Sequence, residues 1–199
     1  MRNLSESEAM FPPRPTLLVH QILKGVLREG DWVIDATAGN GHDTHFLAEC
    51  VGSSGRVFAF DVQPAAIAAS SLRIMEAGLT ERVEFFQESH TEMERYVSEA
   101  CIAAVMFNLG YLPGEDHSLT TQVADTLAAL DAAVRVLKKP GGVICVICYP
   151  GHPAGKIEAE AVEAWMAEQA SHGWRVAKYG AIHTSRPAPF LLLASSPVS

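Results

Sequence analysis

The chain has 199 residues, 48% of them hydrophobic and 19% charged, with 15 Gly and 11 Pro. That balance gives enough apolar material for a buried core and excludes a disordered or fibrous chain. The formal net charge of −8 excludes a general cationic coat for nucleic acid, because phosphate contact needs Lys and Arg, and leaves open only a local basic patch.

No apolar run approaches the roughly 18 residues of a membrane span, so no membrane partner is expected. The opening MRNLSESEAMFPPRP lacks the apolar centre of a secretory signal. The expected compartment is the cytoplasm. Residues 1–15 read as an irregular lead-in and residues 16–199 as a single domain.

In TLLVHQILKGVLREGD, Leu17, Leu18, Ile22, Val26 and Leu27 fall at helical spacing, closed by Gly30. WVIDAT is a short apolar run, the mark of a strand buried on both faces. DTHFLAECVG reads as a helix with Asp43 as N-cap and Gly52 past its end. The pattern repeats: strand RVFAFDV, then helix PAAIAASSLRIMEAG with Pro64 in its first turn and Gly78 beyond its end. RVEFFQES is a third strand, HTEMERYVSEA a short helical segment and IAAVMFNLG a fourth strand. SLTTQVADTLAALDAAVRVLKKPGG is a long helix with a Pro-Gly-Gly stop. VICVICYP is a fifth strand, IEAEAVEAWMAEQASHG a further helix, and WRVAKYGAIHT and APFLLLASS are closing strands with no helix between them.

Alternating strands and helices imply parallel βαβ units, and two strands joined by a short link pair antiparallel. The predicted fold is therefore α/β and Rossmann-like. It is a seven-stranded, mostly parallel sheet with an antiparallel C-terminal strand pair and helices on both faces, the architecture of class I methyltransferases. Cys145 and Cys148 form a C-x-x-C, but within a strand. Residues three apart on a strand face opposite ways, so they read as core residues, not as a redox or zinc pair. His42, Asp43 and His45, and Asp116 with His117, match no zinc spacing, and no metal is expected.

A doubly wound sheet binds ligands at the carboxyl ends of its strands. Here the first strand runs into DATAGNGHDT. Thr37, Gly39, Asn40 and Gly41 form a loop whose backbone a ligand can approach, and Asp43 and Thr44 open the next helix. A dinucleotide fingerprint would carry a third glycine, which is absent. Asp35, ending the strand, would repel a pyrophosphate and attract a cation. S-adenosylmethionine has an ammonium and a sulfonium and no phosphate, so it is favoured over a nicotinamide dinucleotide. Asp61 ends the second strand, where a carboxylate grips ribose hydroxyls, or caps the helix that starts at Pro64. Val62 and Gln63 follow it in the same cofactor-lining set. Ser89 and His90, after the third strand, flank an adenine or form a turn.

The fourth strand ends in FNLGYLPGEDH. Methylases of exocyclic amines carry Asn-Pro-Pro-aromatic at this place. Both prolines are missing, but Asn108 and the Leu109 carbonyl can accept hydrogen bonds from an amine and Tyr111 can stack on a base. The alternative is a plain turn. Tyr149, Gly151 and His152, after the fifth strand, would lie beside that loop, with His152 or water taking up a proton. Arg14, Lys156 and Arg186 could form a phosphate-binding patch or be solvated charges.

In this order, DATAGNGHDTHFLA, GRVFAFDVQ, FNLGYLPG, LKKPGGVI and YPGHPAGKIEAEAVEAW resemble the small methyltransferases labelled rRNA methylases, a family that includes a bacterial tRNA wobble-uridine enzyme. The resemblance runs from about Leu17 to Leu193 and departs from the family at GHPAG. It implies a class I fold, S-adenosylmethionine, and methylation of 5-aminomethyl-2-thiouridine to 5-methylaminomethyl-2-thiouridine at the tRNA wobble position. It implies the tRNA anticodon region as partner, engaged through a flipped base, and is compatible with a homodimer. A methyltransferase for rRNA or a small-molecule amine, and a non-catalytic cofactor-binding module, are the alternatives.

Overall fold

Strands rich in Val, Ile and Phe cannot leave either face in water, so helices must cover both. The computed structural model describes residues 12–110, 123–182 and 184–197. In chain order its elements are α1 (Pro15–Val26), β1 (Trp32–Asp35), α2 (His42–Val51), β2 (Arg56–Phe60), α3 (Pro64–Glu76), β3 (Val83–Phe86), β4 (Ile102–Asn108), α4 (Val123–Val136), β5 (Val143–Cys148), α5 (Pro153–Ser171), β6 (Arg175–Gly180) and β7 (Phe190–Ser195). Short 3-10 turns at Thr80–Arg82 and His90–Arg95 flank β3.

The strands form one sheet in the order β3-β2-β1-β4-β5-β7-β6. β1 to β5 pair in parallel, and β7 runs antiparallel to both β5 and β6. The antiparallel end was expected; that β7 inserts between β5 and β6 was not legible in the sequence. β4 and β5 are buried along almost their whole length. Val19 and Leu23 of α1, Leu47 of α2 and Ile74 of α3 pack on one sheet face, and α4 and α5 pack on the other. β1 and β4 are neighbours whose following helices leave to opposite faces. Their carboxyl ends therefore bound a crevice at the switch point.

The C-x-x-C behaves as its strand spacing requires. Cys145 joins the core face of α1 and α2, and Cys148 the face of α4 and α5. Both are free thiols, and burial pushes Cys148 up to about 12 and Cys145 higher still.

Several boundaries differ from the predicted ones. α1 stops at Val26 because Leu27 is already extended, and the turn to β1 uses Gly30 with a φ of 89°. HTEMERYVSEA yields only the 3-10 turn His90–Arg95. The predicted start of α4 lies outside the described residues. Its end comes at Val136, since Leu137 bridges to Ile102 of β4 and leaves the helix. α5 begins at Pro153, ahead of the predicted Ile157. At the sheet edge, β6 exposes Arg175 and Lys178, charges that discourage further strand pairing. Tyr179 donates its hydroxyl to the Pro13 carbonyl at 2.8 Å and so ties the residues before α1 to this edge.

Candidate active site

The loop after β1 is stitched to both neighbouring strands. Ala36 N–H donates to the Met106 carbonyl at 2.8 Å, and Ala38 N–H to the Phe60 carbonyl at 2.9 Å. Asp35 is fully buried. Its carboxylate accepts the Thr37 amide at 3.1 Å and the Thr44 hydroxyl at 2.6 Å. Burial first, then the neighbouring charge of Asp43, raise its pKa from 3.8 to about 7 against the pull of those two hydrogen bonds. This corrects the expectation of an open carboxylate facing a cation. Asp35 acts by shaping the loop from beneath.

The two loop glycines have conformational reasons. Gly39 and Gly41 sit at φ 51° and 76°. A Cβ on Gly41 would lie 2.8 Å from the Ser70 backbone on α3, so the close packing of α2 on α3 requires glycine. Asn40 is exposed, and its carbonyl accepts Arg73 Nε at 2.7 Å. Gly41, in the left-handed region, is the N-cap of α2. The expectation that Asp43 caps this helix is therefore corrected: Asp43 lies inside the first turn, and its side chain is used elsewhere.

At the end of β2, the Asp61 carboxylate accepts the Gly39 amide at 2.9 Å and the Gln63 amide at 3.0 Å. It thus pins the glycine loop and the start of α3 together. Each oxygen keeps a further lone pair for a hydroxyl. Val62 is 58% exposed, a bare apolar platform beside it. Gln63 Oε1 and His90 Nε2 are buried without a hydrogen-bond partner among the described residues. His90 Nδ1 lies 2.9 Å from the Ala36 carbonyl, which can only accept, so Nδ1 carries the proton and Nε2 is an acceptor. Burial lowers the His90 pKa and keeps the ring neutral. Ser89 accepts the Thr91 amide at 3.3 Å and caps the 3-10 turn, the second of its two expected roles. A carboxylate, an apolar platform and two orphaned acceptors fit the hydroxyls, base and amino donors of a nucleoside.

At the end of β4, Asn108 is held from two sides. Its amide N–H donates to Thr37 Oγ1 at 2.8 Å, and its side-chain Nδ2 donates to Asp43 Oδ2 at 2.9 Å. Asp43 Oδ1 accepts His20 Nε2 at 2.7 Å. His20 comes from α1 and stacks on Phe46 with ring centroids 3.9 Å apart. His20 was missed by the sequence reading; the only signal was a polar side chain close to an apolar helix face. The chain continues past β4 with Leu109 N–H on the Ile147 carbonyl. A Cβ on Gly110 would sit 3.5 Å from the Tyr149 ring, which places Tyr149 beside Gly110. Tyr149 is half-buried, and its hydroxyl pKa is raised, first by burial and then by Asp43. Tyr111, Asp116 and His117 lie outside the described residues.

His152 has a structural task that was not foreseen. It is the N-cap of α5, and its Nδ1 accepts the Gly155 amide at 3.1 Å. A Cβ on Gly155 would fall 2.7 Å from the His152 ring and clash with the Tyr149 carbonyl. The spacing of His152 and Gly155 in GHPAG is thus that of a histidine-capped helix start. Gly151 is exposed, and a Cβ on it would lie 3.8 Å from the Pro187 carbonyl. Arg14, Lys156 and Arg186 are all exposed, and Lys156 approaches Glu160 only to 3.8 Å. Such a solvated pair contributes little to stability.

The sheet order, the glycine loop at the switch point and the acidic end of β2 define a class I methyltransferase. Solved structures agree. A Clostridium thermocellum protein described as a "putative rRNA-methylase" superposes with a TM-score of 0.89 at 36% identity, covering 94% of this chain and 99% of that one. SMU.1697c from Streptococcus mutans, in complex with SAH, gives 0.81 at 33% identity over 92% and 97% of the two chains. The "tRNA (mnm(5)s(2)U34)-methyltransferase, chloroplastic" of Arabidopsis thaliana is 41% identical over 189 residues, 90% of this chain and 68% of that protein. The family model described as "Putative rRNA methylase" matches residues 57–195, and the chain belongs to that family. No helix among the described residues is long and apolar enough to cross a membrane.

Proposed function

We propose that the chain is an S-adenosylmethionine-dependent N-methyltransferase that converts 5-aminomethyl-2-thiouridine to 5-methylaminomethyl-2-thiouridine at the wobble position of tRNA. The observation that carries the substrate is the 41% identity with the Arabidopsis thaliana tRNA methyltransferase over 90% of this chain. The geometry at Asn108 supports it, because an amide oxygen at the end of β4 suits an amine acceptor.

The residues present fit the cofactor. Asp61 would take its ribose hydroxyls, Val62, Gln63 and His90 its adenine, and the loop from Thr37 to Gly41 with the first backbone amides of α2 its amino-acid end. When bound, S-adenosylmethionine supplies a methyl group on a positively charged sulfur. What remains for the protein is positioning and exclusion of water. The Asn108 carbonyl accepts an N–H of the substrate amine and aims the nitrogen lone pair. Tyr149, and Tyr111 by its sequence position, flank the base. Only the neutral amine can attack, and a dry site disfavours its ammonium form. No covalent intermediate with the protein is needed, and the buried thiols of Cys145 and Cys148 are unsuited to one.

An acidic protein acts on RNA here through one flipped, unpaired base of the anticodon region, which needs only local contacts. Arg14, Lys156 and Arg186 are the candidate phosphate contacts, and the cytoplasm is the inferred compartment. The test is incubation of purified protein with S-adenosylmethionine and tRNA bearing 5-aminomethyl-2-thiouridine, followed by nucleoside mass spectrometry. One added methyl on that nucleoside, lost in Asn108→Ala, is the expected result. No gain, with cofactor binding demonstrated separately, would redirect the search to rRNA and small amines.

A further inference from the structure

Asn108 is useful to an amine only in one orientation. A side-chain amide has an oxygen on one side and an NH2 on the other, with nearly the same shape. Turned the wrong way, it would set donors against the donors of the incoming amine. Something must choose the orientation, and the backbone of β4 cannot.

We propose that Asp43 and His20 are positioning residues that hold the Asn108 side-chain amide with its oxygen toward the acceptor amine. The inference rests on the function proposed above. A carboxylate can only accept, so Asp43 Oδ2, 2.9 Å from Asn108 Nδ2, selects the NH2 for its own side and leaves the amide oxygen on the other. That oxygen has no hydrogen-bond partner among the described residues. The carboxylate is itself held, since His20 Nε2 donates to Oδ1 at 2.7 Å. The His20 ring lies flat on Phe46, 3.9 Å between centroids and 5° from parallel. The chain of contacts thus joins α1, α2 and β4, elements far apart in sequence, with separations of 23 and 65 residues at its two hydrogen bonds.

A purely architectural role accounts poorly for this arrangement. Asp43 is 8% exposed and stands close enough to the buried Asp35 to raise the latter's pKa. Two carboxylates near one another under the same loop work against folding. Gly41, not Asp43, caps α2, so the helix start does not need this side chain. Its two oxygens are spent on one histidine and on the amide at the end of β4.

The test exchanges donor and acceptor. In Asp43→Asn, the new amide can donate to the Asn108 oxygen and flip it. The expected result is a kcat for tRNA methylation about 10- to 100-fold lower, with KM for tRNA and calorimetric affinity for S-adenosylmethionine nearly unchanged. Asn108→Asp alone sets two carboxylates face to face and is also impaired. In the double variant D43N/N108D the bond runs in the opposite sense, and an acceptor oxygen again faces the amine. Its kcat should rise about tenfold above that of D43N, a coupling that independent losses cannot produce. Should Asp43→Asn fail to fold, His20→Phe and His20→Gln take its place. Phe keeps the stacking and loses the donor, and kcat should fall; Gln restores a donor and part of the rate.

An unchanged kcat in D43N, or losses that simply multiply in the double variant, would overturn the proposal. So would a loss of cofactor affinity in D43N, which would make Asp43 a cofactor ligand. Wild-type protein that transfers no methyl to the amine would remove the proposed function and this inference with it. Wild-type turnover with an indifferent D43N would remove this inference alone.

Discussion

The Asp61 carboxylate accepts the Gly39 amide at 2.9 Å, joining the end of β2 to a loop 22 residues earlier. The same side chain accepts the Gln63 amide at 3.0 Å. One residue therefore shapes the glycine loop and, in the proposed cofactor site, offers acceptor oxygens to the ribose. Asp61→Ala should weaken S-adenosylmethionine binding by about tenfold or more and destabilise the fold by roughly 1.5–3 kcal/mol, the range for a hydrogen bond to a charged group. Titration calorimetry and thermal unfolding read the two effects separately. Normal cofactor affinity would remove Asp61 from the ribose site.

Asp35 gives a pH signature. Folding raises its pKa from 3.8 to about 7. Between those values the folded protein holds more of this proton than the unfolded chain does, so its contribution to stability falls as pH rises through that window and levels off above it. Asp35→Asn removes the titration. Thr44, a hydroxyl, can turn from donor to acceptor and keep its contact. The Tm of Asp35→Asn minus that of the wild type, both without cofactor, should increase from about pH 4 to about pH 7. A difference that does not vary with pH would refute the raised pKa.

Gly41 tests the loop geometry. At φ 76°, with the Ser70 backbone 2.8 Å from where a Cβ would stand, Gly41→Ala is strained twice over. It should cost about 1–3 kcal/mol of stability and reduce cofactor affinity by displacing the start of α2. Asn40→Ala, at an exposed side chain whose backbone carbonyl does the bonding, should leave stability nearly unchanged. Chemical denaturation of both variants compares them directly, and equal stabilities would show that the strain is absent.

Tyr149 packs beside Gly110 at the end of β4. Tyr149→Ala should raise KM for tRNA several-fold while leaving cofactor affinity intact, and Tyr149→Phe, which keeps the ring, should be milder. Steady-state kinetics with modified tRNA reads this. If Phe is as damaging as Ala, the hydroxyl and not the ring is what matters.

Much of the fold was legible. Strand identity followed from short apolar runs, and the parallel order from alternation with helices. The opposite facing of Cys145 and Cys148 followed from the two-residue period of a strand. The strand-end loops were also visible, because glycines and carboxylates interrupt apolar runs there. Misreadings gathered at helix starts. Asp43 and His152 both precede or open helices, and propensity favours Asp as the cap. In the fold Gly41 caps α2 and His152 caps α5. Which residue caps depends on where the backbone turns out of the preceding strand, and that turn is set by neighbouring strands.

From the sequence by itself came the kinds of element, their order and the strand ends where ligands must bind, since these depend on local periodicity and on interruptions within a few residues. Only the tertiary structure decided where β7 lies, that Asp35 is sealed beneath the loop, and that His20 and Asn108 share the Asp43 carboxylate. Hydrogen bonds across 23 and 65 residues leave no spacing rule in the chain. They exist because the packing of α1, α2 and β4 brings their ends to one point.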